Sequence, residues 1–181
     1  MDGGSELGAK LKVLVIGASR VLAPLVANEL SRGHDVVAVT RDGENVPEAS
    51  GSCGTLRVVV ADVKTNLGAA AVSAAGPFDV AVFYGPALVI SLVDVLAEGV
   101  RGRVVLLCSS AIARPLAGPL NKVFEAARPR SGDAVVILGW TGQRESPRWH
   151  SPEEISAAAA DILASGEDFV MGRVRPWDER P

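Results

Sequence analysis

Short, continuously apolar runs that alternate with helical patterns are the feature that most constrains this chain. The run from Val13 to Ile16 is β-branched, shows no polar alternation and stops at Gly17. Strands of this composition are typical of a parallel sheet that is covered by helices on both faces. From Val21 to Leu30 the apolar residues recur at helical spacing, and Gly33 follows where a helix terminator belongs. The pattern predicts a strand, a tight turn and a helix.

The same alternation continues to the end of the chain. Further strands are predicted at 36–40, 56–60, 78–84, 104–108 and 134–138, with a seventh at 169–174, and helices at 65–75, 87–98 and 120–127. A last helix begins at Ser151, which supplies an N-cap before Pro152 and two acidic residues. We therefore predict an α/β fold of the Rossmann type, a doubly wound parallel sheet of six or seven strands with helices on both faces.

Length and composition favour one folded unit. A chain of 181 residues fits a single core, and a hydrophobic content of 48% gives that core enough apolar surface to bury. The Gly-rich, polar start predicts a flexible N-terminal tail over residues 1–11. The remaining residues, 12–181, are expected to form one domain of the Rossmann type, because no linker divides them.

Charge and residue counts exclude several classes of function. A net charge of −3 without a basic run disfavours nucleic acid as a partner. No run approaches the roughly 20 apolar residues of a membrane helix, and the start lacks the apolar core of a signal peptide, so we expect a cytoplasmic protein without a membrane partner. Two cysteines, Cys53 and Cys108, and two histidines, His34 and His150, are too few and too scattered to predict a disulfide framework or a metal site.

The turn after the first predicted strand carries the strongest functional signal. A chain that leaves a buried strand and enters a helix aims backbone N–H groups and the positive helix end at one point, where a pyrophosphate fits. Val21 and Ala23 stand where the full glycine fingerprint has glycines, so a turn that binds nothing is the alternative. The predicted cofactor contacts in this turn are Gly17, Ala18, Ser19, Arg20, Val21 and Leu22.

The end of the second predicted strand indicates which dinucleotide binds. An acid there holds the ribose hydroxyls of NAD, whereas a base holds the extra phosphate of NADP. Arg41 occupies this position, and Arg20 in the preceding turn suits the same phosphate, because guanidinium matches phosphate oxygens in a fork. We therefore predict NADP(H) as the cofactor. The alternatives are that both arginines are solvated surface residues, or that Asp42 serves an NAD ribose.

Asp62 and Val63 directly follow the third predicted strand. Asp62 at this place would meet the amino group of an adenine, with Val63 beside it. An aspartate before a helix is equally well suited to capping that helix. Both interpretations are open from the sequence.

Together these residues resemble the atypical branch of the short-chain dehydrogenase/reductase superfamily, over nearly the whole chain from Lys12 onward. The residues 17–20 match the superfamily's nucleotide turn, and 62–63 match its adenine-site pair. Segments near the end resemble short bacterial members of the branch: 137–140, 148–151 with 153–155, and 172–174 with 176–177. The resemblance implies an NADP(H)-dependent oxidoreductase that acts on a small organic substrate.

The superfamily's catalytic residues are matched only in part. In ordinary members a serine past the fifth strand works with a Tyr-x-x-x-Lys helix, in which the tyrosine transfers the proton and the lysine holds the ribose. Ser109 and Ser110 match the serine, and Lys122 matches the lysine. Gly118 stands at the tyrosine's position, next to Pro119, and has no side chain that exchanges a proton.

The residues Tyr84-Gly85-Pro86 stand at the end of the fourth strand in place of the superfamily's usual Asn-Ala-Gly, and Tyr84 is the only tyrosine. Because carboxyl ends of neighbouring strands meet where a doubly wound sheet binds its ligands, we predict Tyr84 as substitute proton donor and Ser110 as its hydrogen-bond partner. Lys122 is the predicted ribose contact, and Tyr84 and Gly85 are also predicted to touch the cofactor. The alternatives are that Ser110 only satisfies backbone groups in a loop, that Lys122 is a surface residue, and that Tyr84 is an aromatic residue at the edge of the core.

Two other functions stay open beside the oxidoreductase. One is a catalytically silent protein that senses NADP(H) or stabilises a partner, which Gly118 favours. The other is a lyase, isomerase or cyclase on the same scaffold. The resemblance further implies a homodimer or homotetramer, and the Trp-rich C-terminal third offers apolar surface for such contacts.

Overall fold

A computed structural model of the chain describes residues 9–48, 51, 53–114 and 117–181. The described strands are β1 (Lys12–Ile16), β2 (Asp35–Thr40), β3 (Leu56–Val60), β4 (Val80–Tyr84), β5 (Val104–Ser109), β6 (Ala134–Leu138), β7 (Trp140–Gln143), β8 (Ser146–Trp149) and β9 (Phe169–Met171). The α-helices are α1 (Ala23–Ser31), α2 (Asn66–Ser73), α3 (Ile90–Glu98), α4 (Leu120–Ala127) and α5 (Pro152–Ser165).

Seven of these strands form one parallel sheet in the order β3-β2-β1-β4-β5-β6-β9. The chain runs outward from β1 to β3 and then returns to the other side of β1 with β4. This reversal is the switch point at which open α/β sheets bind ligands, outside the carboxyl ends of their strands. The predicted doubly wound, Rossmann-like fold is confirmed.

Both faces of the sheet are covered, which explains why the strands read as unbroken apolar runs. Val13 and Val15 point to the face that α1 and α5 cover, and Leu14 and Ile16 point to the face of α2, α3 and α4. All four side chains are at most 1% exposed. Burial of one such side chain contributes about 1.5–3 kcal/mol, so the central strands hold the layers together.

Several predicted boundaries agree with the structure, and the others differ for local reasons. The strand at 56–60, the strand at 134–138 and the helix at 120–127 have the predicted bounds. The first helix instead opens with a 3-10 turn, Arg20–Leu22, before α1 begins. The strand predicted to reach residue 174 ends at Met171, because Gly172 turns the chain with a φ of +78°.

The C-terminal helix begins as its sequence predicted. The Ser151 hydroxyl accepts a hydrogen bond from the Glu154 N–H (3.3 Å), and the Glu154 carboxylate accepts one from the Ser151 N–H (2.8 Å). Each residue satisfies a backbone donor that would otherwise lack a partner at the helix start.

The hairpin of β7 and β8 is an element that sequence reasoning missed. Trp140 pairs with Trp149, and Trp140 also bridges Arg173 beyond β9, so the hairpin lies at the carboxyl edge of the sheet. Its strands have four residues each and its two-residue connection is Arg144-Glu145, whereas tight hairpins are usually signalled by Asn-Gly or Asp-Gly. The sequence therefore lacked the usual turn signal.

The connection from β2 to β3 carries no helix in its described residues, 41–48, 51 and 53–55. Val58 and Val60 consequently stay 41% and 60% exposed on the outermost strand. At the start of the chain, most of the predicted tail lies outside the described residues. Lys10 pairs with Asp35 (2.8 Å), and the Leu11 N–H donates to His34 (3.3 Å).

The described helices are all too short or too polar to cross a membrane. The same residues contain no group of three or more His, Cys, Asp or Glu side chains placed to hold a metal ion.

Candidate nucleotide-binding site

Gly17 makes the sharp turn that ends β1. Its φ is +83°, and the N–H groups of Gly17 and Ala18 both donate to the Val39 carbonyl (3.1 Å each), which ties the turn to β2. A Cβ at position 17 would lie 2.8 Å from Cβ of Tyr84. Glycine is therefore required both by the backbone conformation and by the tyrosine that packs against it.

The next residues aim a helix start at the carboxyl edge. Ser19 is the N-cap of the 3-10 turn but makes no side-chain capping bond, so the first N–H groups of the turn stay available to an anion. Arg20 holds a left-handed φ of 57°, a conformation that costs a non-glycine residue about 1 kcal/mol or more. Such a cost is common at functional sites.

Val21 stands where the glycine fingerprint has its second glycine. It is half-buried and packs on the core between the sheet, α1 and α5. Its carbonyl accepts a hydrogen bond from the Ser156 hydroxyl of α5 (3.2 Å). Val21 thus fastens the turn to the last helix, while Leu22 beside it is fully buried.

The turn after β2 places Arg41 at the carboxyl edge of the sheet and binds the carboxylate of Asp42. The buried Thr40 hydroxyl accepts a hydrogen bond from the Gly43 N–H (2.6 Å), which closes a turn beneath the exposed Arg41. The Asp42 carboxylate accepts the Glu44 N–H (3.0 Å). One oxygen of the Asp42 carboxylate is therefore engaged within its own turn.

Asp62 likewise stabilises the turn that follows β3. Its carboxylate accepts the Lys64 N–H (3.0 Å), and its carbonyl accepts the Thr65 N–H (3.1 Å). Thr65 is the N-cap of α2, since its hydroxyl accepts the Gly68 N–H (3.0 Å). A Cβ on Gly68 would collide with the Asp62 carbonyl, so this glycine lets α2 approach the strand end. Val63, next to Asp62, is buried.

These strand ends surround a cavity of about 350 Å³, at the lower end of the size range of ligand pockets. Predicted cofactor contacts that line it are Gly17, Ser19, Arg20, Val21, Arg41, Val63 and Tyr84. Residues that line it without having been predicted are Ile16, Val39, Thr40, Ala61, Lys64, Pro86 and Ala87. The described lining does not contain Ala18, Leu22, Asp62, Gly85, Ser110 or Lys122.

The cavity concentrates positive charge that nothing else in the described residues neutralises. Arg20, Arg41 and Lys64 line it, and no carboxylate is among its described lining residues. All but five of the 18 lysines and arginines make a side-chain hydrogen bond, an ion pair or a contact with an aromatic ring within the described chain. The five are these three, Arg57 and Arg114. In a protein of net charge −3, such a cluster is suited to phosphate.

Tyr84 lies at the boundary of this cavity. Its side chain is half-buried against Gly17, and burial raises the pKa of the phenol above its ordinary value. The hydroxyl therefore stays protonated at neutral pH and can donate a hydrogen bond. At neighbouring Gly85, a Cβ would lie 2.7 Å from the Leu107 carbonyl, so this glycine permits the end of β4 to pack on β5.

The remaining predicted catalytic residues lie outside the cavity. Ser109 ends β5 and is exposed, whereas Ser110 is buried and opens a 3-10 turn. Lys122 is exposed on the first turn of α4, where its ammonium binds the Glu125 carboxylate (2.8 Å). Gly118 precedes this helix with a φ of +80°, so the position expected for a catalytic tyrosine is not helical.

The loop that carries Gly118 is tied to the C-terminal segment. The Arg175 guanidinium donates to the carbonyls of Ala113 (3.2 Å) and Gly118 (2.7 Å). The Arg175 side chain therefore joins the 3-10 turn that Ser110 opens to the residues that precede α4.

Comparison with known proteins supports the fold from an independent direction. No protein-family model and no curated protein sequence matches the chain. An acetoin dehydrogenase from Salmonella typhimurium superposes with a TM-score of 0.65 at 17% identity, covering 91% of this chain and 96% of that one. A short-chain dehydrogenase from Sphingobium yanoikuyae in complex with NADPH gives 0.63 at 17% identity, covering 92% and 91%.

A third similar structure is an NADH-dependent reductase complexed with NAD, with a TM-score of 0.59, 15% identity and coverage of 92% of this chain and 96% of that one. Identities this low establish the fold and leave cofactor and substrate to be argued from the site. The resemblance predicted from the sequence is confirmed at this level: the chain has the fold of the short-chain dehydrogenases and reductases.

Proposed function

We propose that this protein binds NADP(H) over the turn between β1 and α1 and acts as a divergent oxidoreductase on a small organic substrate. The observation that carries the proposal is the cavity at the ends of β1, β2 and β3, where three cations have no partner among the described residues. Unpaired cations beside an uncapped helix start match a ligand with several phosphates.

The choice of NADP(H) over NAD(H) rests on the same residues. An NAD site usually presents a carboxylate to the ribose hydroxyls at the end of the second strand. Here Arg41 lines the cavity, and Asp42 is bonded within its own turn. The two similar structures with a bound dinucleotide hold NADPH in one case and NAD in the other, which is compatible with either cofactor.

Reduction of a carbonyl would need two groups from this site. NADPH, held over the turn between β1 and α1, would supply the hydride, and the carbonyl oxygen would need a proton donor of this chain within about 3 Å. Tyr84 is the only phenol, and the raised pKa keeps it in the donating form. We assign Tyr84 this role in place of Gly118, with Ser110 and Lys122 as the proposed partners across the sheet edge.

A second function is favoured by one observation. Lys122, which would hold the ribose in an ordinary reductase, is exposed and paired with Glu125 (2.8 Å). A protein that binds NADP(H) as a sensor, or that uses the scaffold for a non-redox reaction, needs no such lysine. Both functions share the nucleotide site and differ in whether NADPH is oxidised.

Thermal unfolding with separate additions of NADPH, NADP⁺, NADH and NAD⁺ tests the shared part. A ligand at about 100 times its Kd stabilises the native state by about 2.7 kcal/mol, so NADPH and NADP⁺ should raise Tm clearly and more than NADH and NAD⁺. No shift with any of them at millimolar concentration would overturn the proposal. If NADPH binds but a broad panel of aldehydes and ketones leaves it unoxidised, the sensor and non-redox functions are favoured.

We also propose that the protein forms a homodimer or homotetramer in the cytoplasm. Trp149 of the hairpin and Phe169 on the outermost strand β9 are 49% and 44% exposed, which gives apolar surface for self-association. Sedimentation that shows only monomer at micromolar concentration would overturn the oligomer.

A further inference from the structure

Lys64 is the cavity cation that sequence reasoning did not single out. It directly follows Val63 after β3, and its backbone N–H is held by the Asp62 carboxylate (3.0 Å). Its side chain is exposed, and no described residue forms an ion pair or side-chain hydrogen bond with it. The backbone at this position is therefore fixed while the ammonium is left to a ligand.

The three cavity cations follow three adjacent strands. Arg20 follows β1 at the centre, Arg41 follows β2, and Lys64 follows β3 at the outer side of the sheet. Thr40 and Val60 pair directly in the parallel register, so the loops that carry Arg41 and Lys64 leave the sheet from adjacent strand ends. Arg41 and Lys64 both line the cavity on this outer side, and Arg20 belongs to the turn at the helix start.

Two kinds of phosphate correspond to these two positions. The pyrophosphate of a dinucleotide is esterified at both ends, and it suits the helix start beside Arg20. A phosphate monoester carries close to two negative charges at neutral pH, which two separate cations balance better than one. The guanidinium of Arg41 provides a planar fork, and the ammonium of Lys64 provides a second, mobile point charge.

We propose that Lys64 and Arg41 together form a two-cation site for a phosphate monoester on the 2′- or 3′-hydroxyl of an adenosine nucleotide. This inference rests on the proposed function and specifies the part of the ligand that the cavity recognises. A 2′-phosphate, as in NADP(H), and a 3′-phosphate share this chemistry. The site therefore distinguishes ribose-phosphorylated adenosine nucleotides from NAD(H) by two cations from adjacent strands.

Isothermal titration of the wild type, Lys64→Gln and Arg57→Gln tests the site. The ligands are NADPH, NADH, adenosine 2′,5′-bisphosphate, adenosine 3′,5′-bisphosphate and AMP. Lys64→Gln should weaken NADPH and the 2′,5′-bisphosphate about tenfold and leave NADH and AMP unchanged, because only the former carry a phosphate on the 2′-hydroxyl. Arg57→Gln is the matched control, since Arg57 is an exposed, unpaired cation on β3 outside the cavity lining.

The outcomes separate this inference from the function on which it rests. If NADPH binds the wild type and Lys64→Gln binds it equally well, Lys64 has no part in recognition and only the inference is overturned. An equal loss for NADPH and NADH would also overturn it, because Lys64 would then act on the pyrophosphate or the fold. Preference for the 3′,5′-bisphosphate supports the two-cation site but overturns NADP(H) as its ligand. If no nucleotide binds the wild type, the proposed function fails together with the inference.

Discussion

Two groups of cations on opposite halves of the sheet are used in opposite ways. Around β1, β2 and β3, the cations Arg20, Arg41 and Lys64 have no partner among the described residues and line one cavity. Around β5, β6 and β9, the arginines connect pieces of backbone: Arg130 donates to three carbonyls and to Asp133, and Arg103 donates to carbonyls at the end of α5.

This difference separates cations that stabilise the fold from cations that are available to a ligand. An arginine that fills its donors with carbonyls and a carboxylate has little left for a phosphate. A cation left in solvent at a turn contributes little to stability and keeps its binding capacity. The comparison predicts that substitutions of Arg103 and Arg130 change stability, whereas substitutions of the three cavity cations change nucleotide affinity.

The largest effect is expected at Arg130. The Asp133 side chain is only 2% exposed and pairs with Arg130 (2.9 Å), so Arg130→Ala would leave a buried carboxylate without its partner. We expect the free energy of unfolding to fall by about 3 kcal/mol. Urea denaturation measures it, with Arg41→Ala as the control that should stay within about 0.5 kcal/mol of wild type. Equal stability of the two variants would remove the distinction between the halves.

Arg41→Ala should instead produce the largest loss of nucleotide affinity. Removal of a guanidinium that binds the extra phosphate should weaken NADPH about thirtyfold, roughly 2 kcal/mol, and change NADH little. Titration calorimetry compares this variant with Arg114→Ala, which removes an exposed cation in the other half that has no partner among the described residues. If NADPH and NADH weaken equally, Arg41 supports the turn rather than the phosphate.

Tyr84 lies on β4, where the two halves meet. If the protein is a reductase, Tyr84→Phe should lower kcat at least tenfold, about 1.4 kcal/mol of barrier, with NADPH affinity nearly unchanged. Because burial raises the pKa of the phenol, wild-type turnover should stay level through neutral pH and fall only when an alkaline pH removes the proton. Full activity in the variant would exclude Tyr84 as the donor, and a loss of affinity alone would make it a nucleotide contact.

The smallest effect is expected from the left-handed backbone at Arg20. Arg20→Gly and Arg20→Ala both remove the charge, but only glycine adopts the φ of 57° without steric cost. The glycine variant should therefore be about 1 kcal/mol more stable than the alanine variant, while both bind NADPH equally weakly. Melting curves and titrations on the two variants would show this, and a less stable glycine variant would contradict strain at this residue.

The sequence predicted the fold well because its signals are local and agree with one another. The apolar run of β1 and the Ser151 cap of α5 each identify an element from a few neighbouring residues. Where the prediction failed, the cause was equally local. The hairpin of β7 and β8 lacks the usual turn residues, and Gly172 ends β9 early.

The candidate site was only partly predictable, because its character depends on which charges find partners. Arg41 and Arg103 are indistinguishable as letters, yet one lines the cavity and the other binds the carbonyls of Leu163 and Ala164. Lys64 was missed for the same reason. The neighbouring Asp62 carboxylate binds a backbone N–H group rather than the Lys64 ammonium, which therefore has no partner among the described residues. The sequence predicts where the strands end, and tertiary contacts decide which charged side chains at those ends are available to a ligand.

The hydrogen bond from Ser156 to the Val21 carbonyl joins residues that are 135 positions apart. During synthesis the turn after β1 emerges early, but the helix on which it packs emerges near the end of the described chain. This contact cannot form until α5 has been made and the long loop between the two residues has been closed. The nucleotide turn therefore gains its final support only when α5 docks, and a ligand bound there would favour chains that have completed this step.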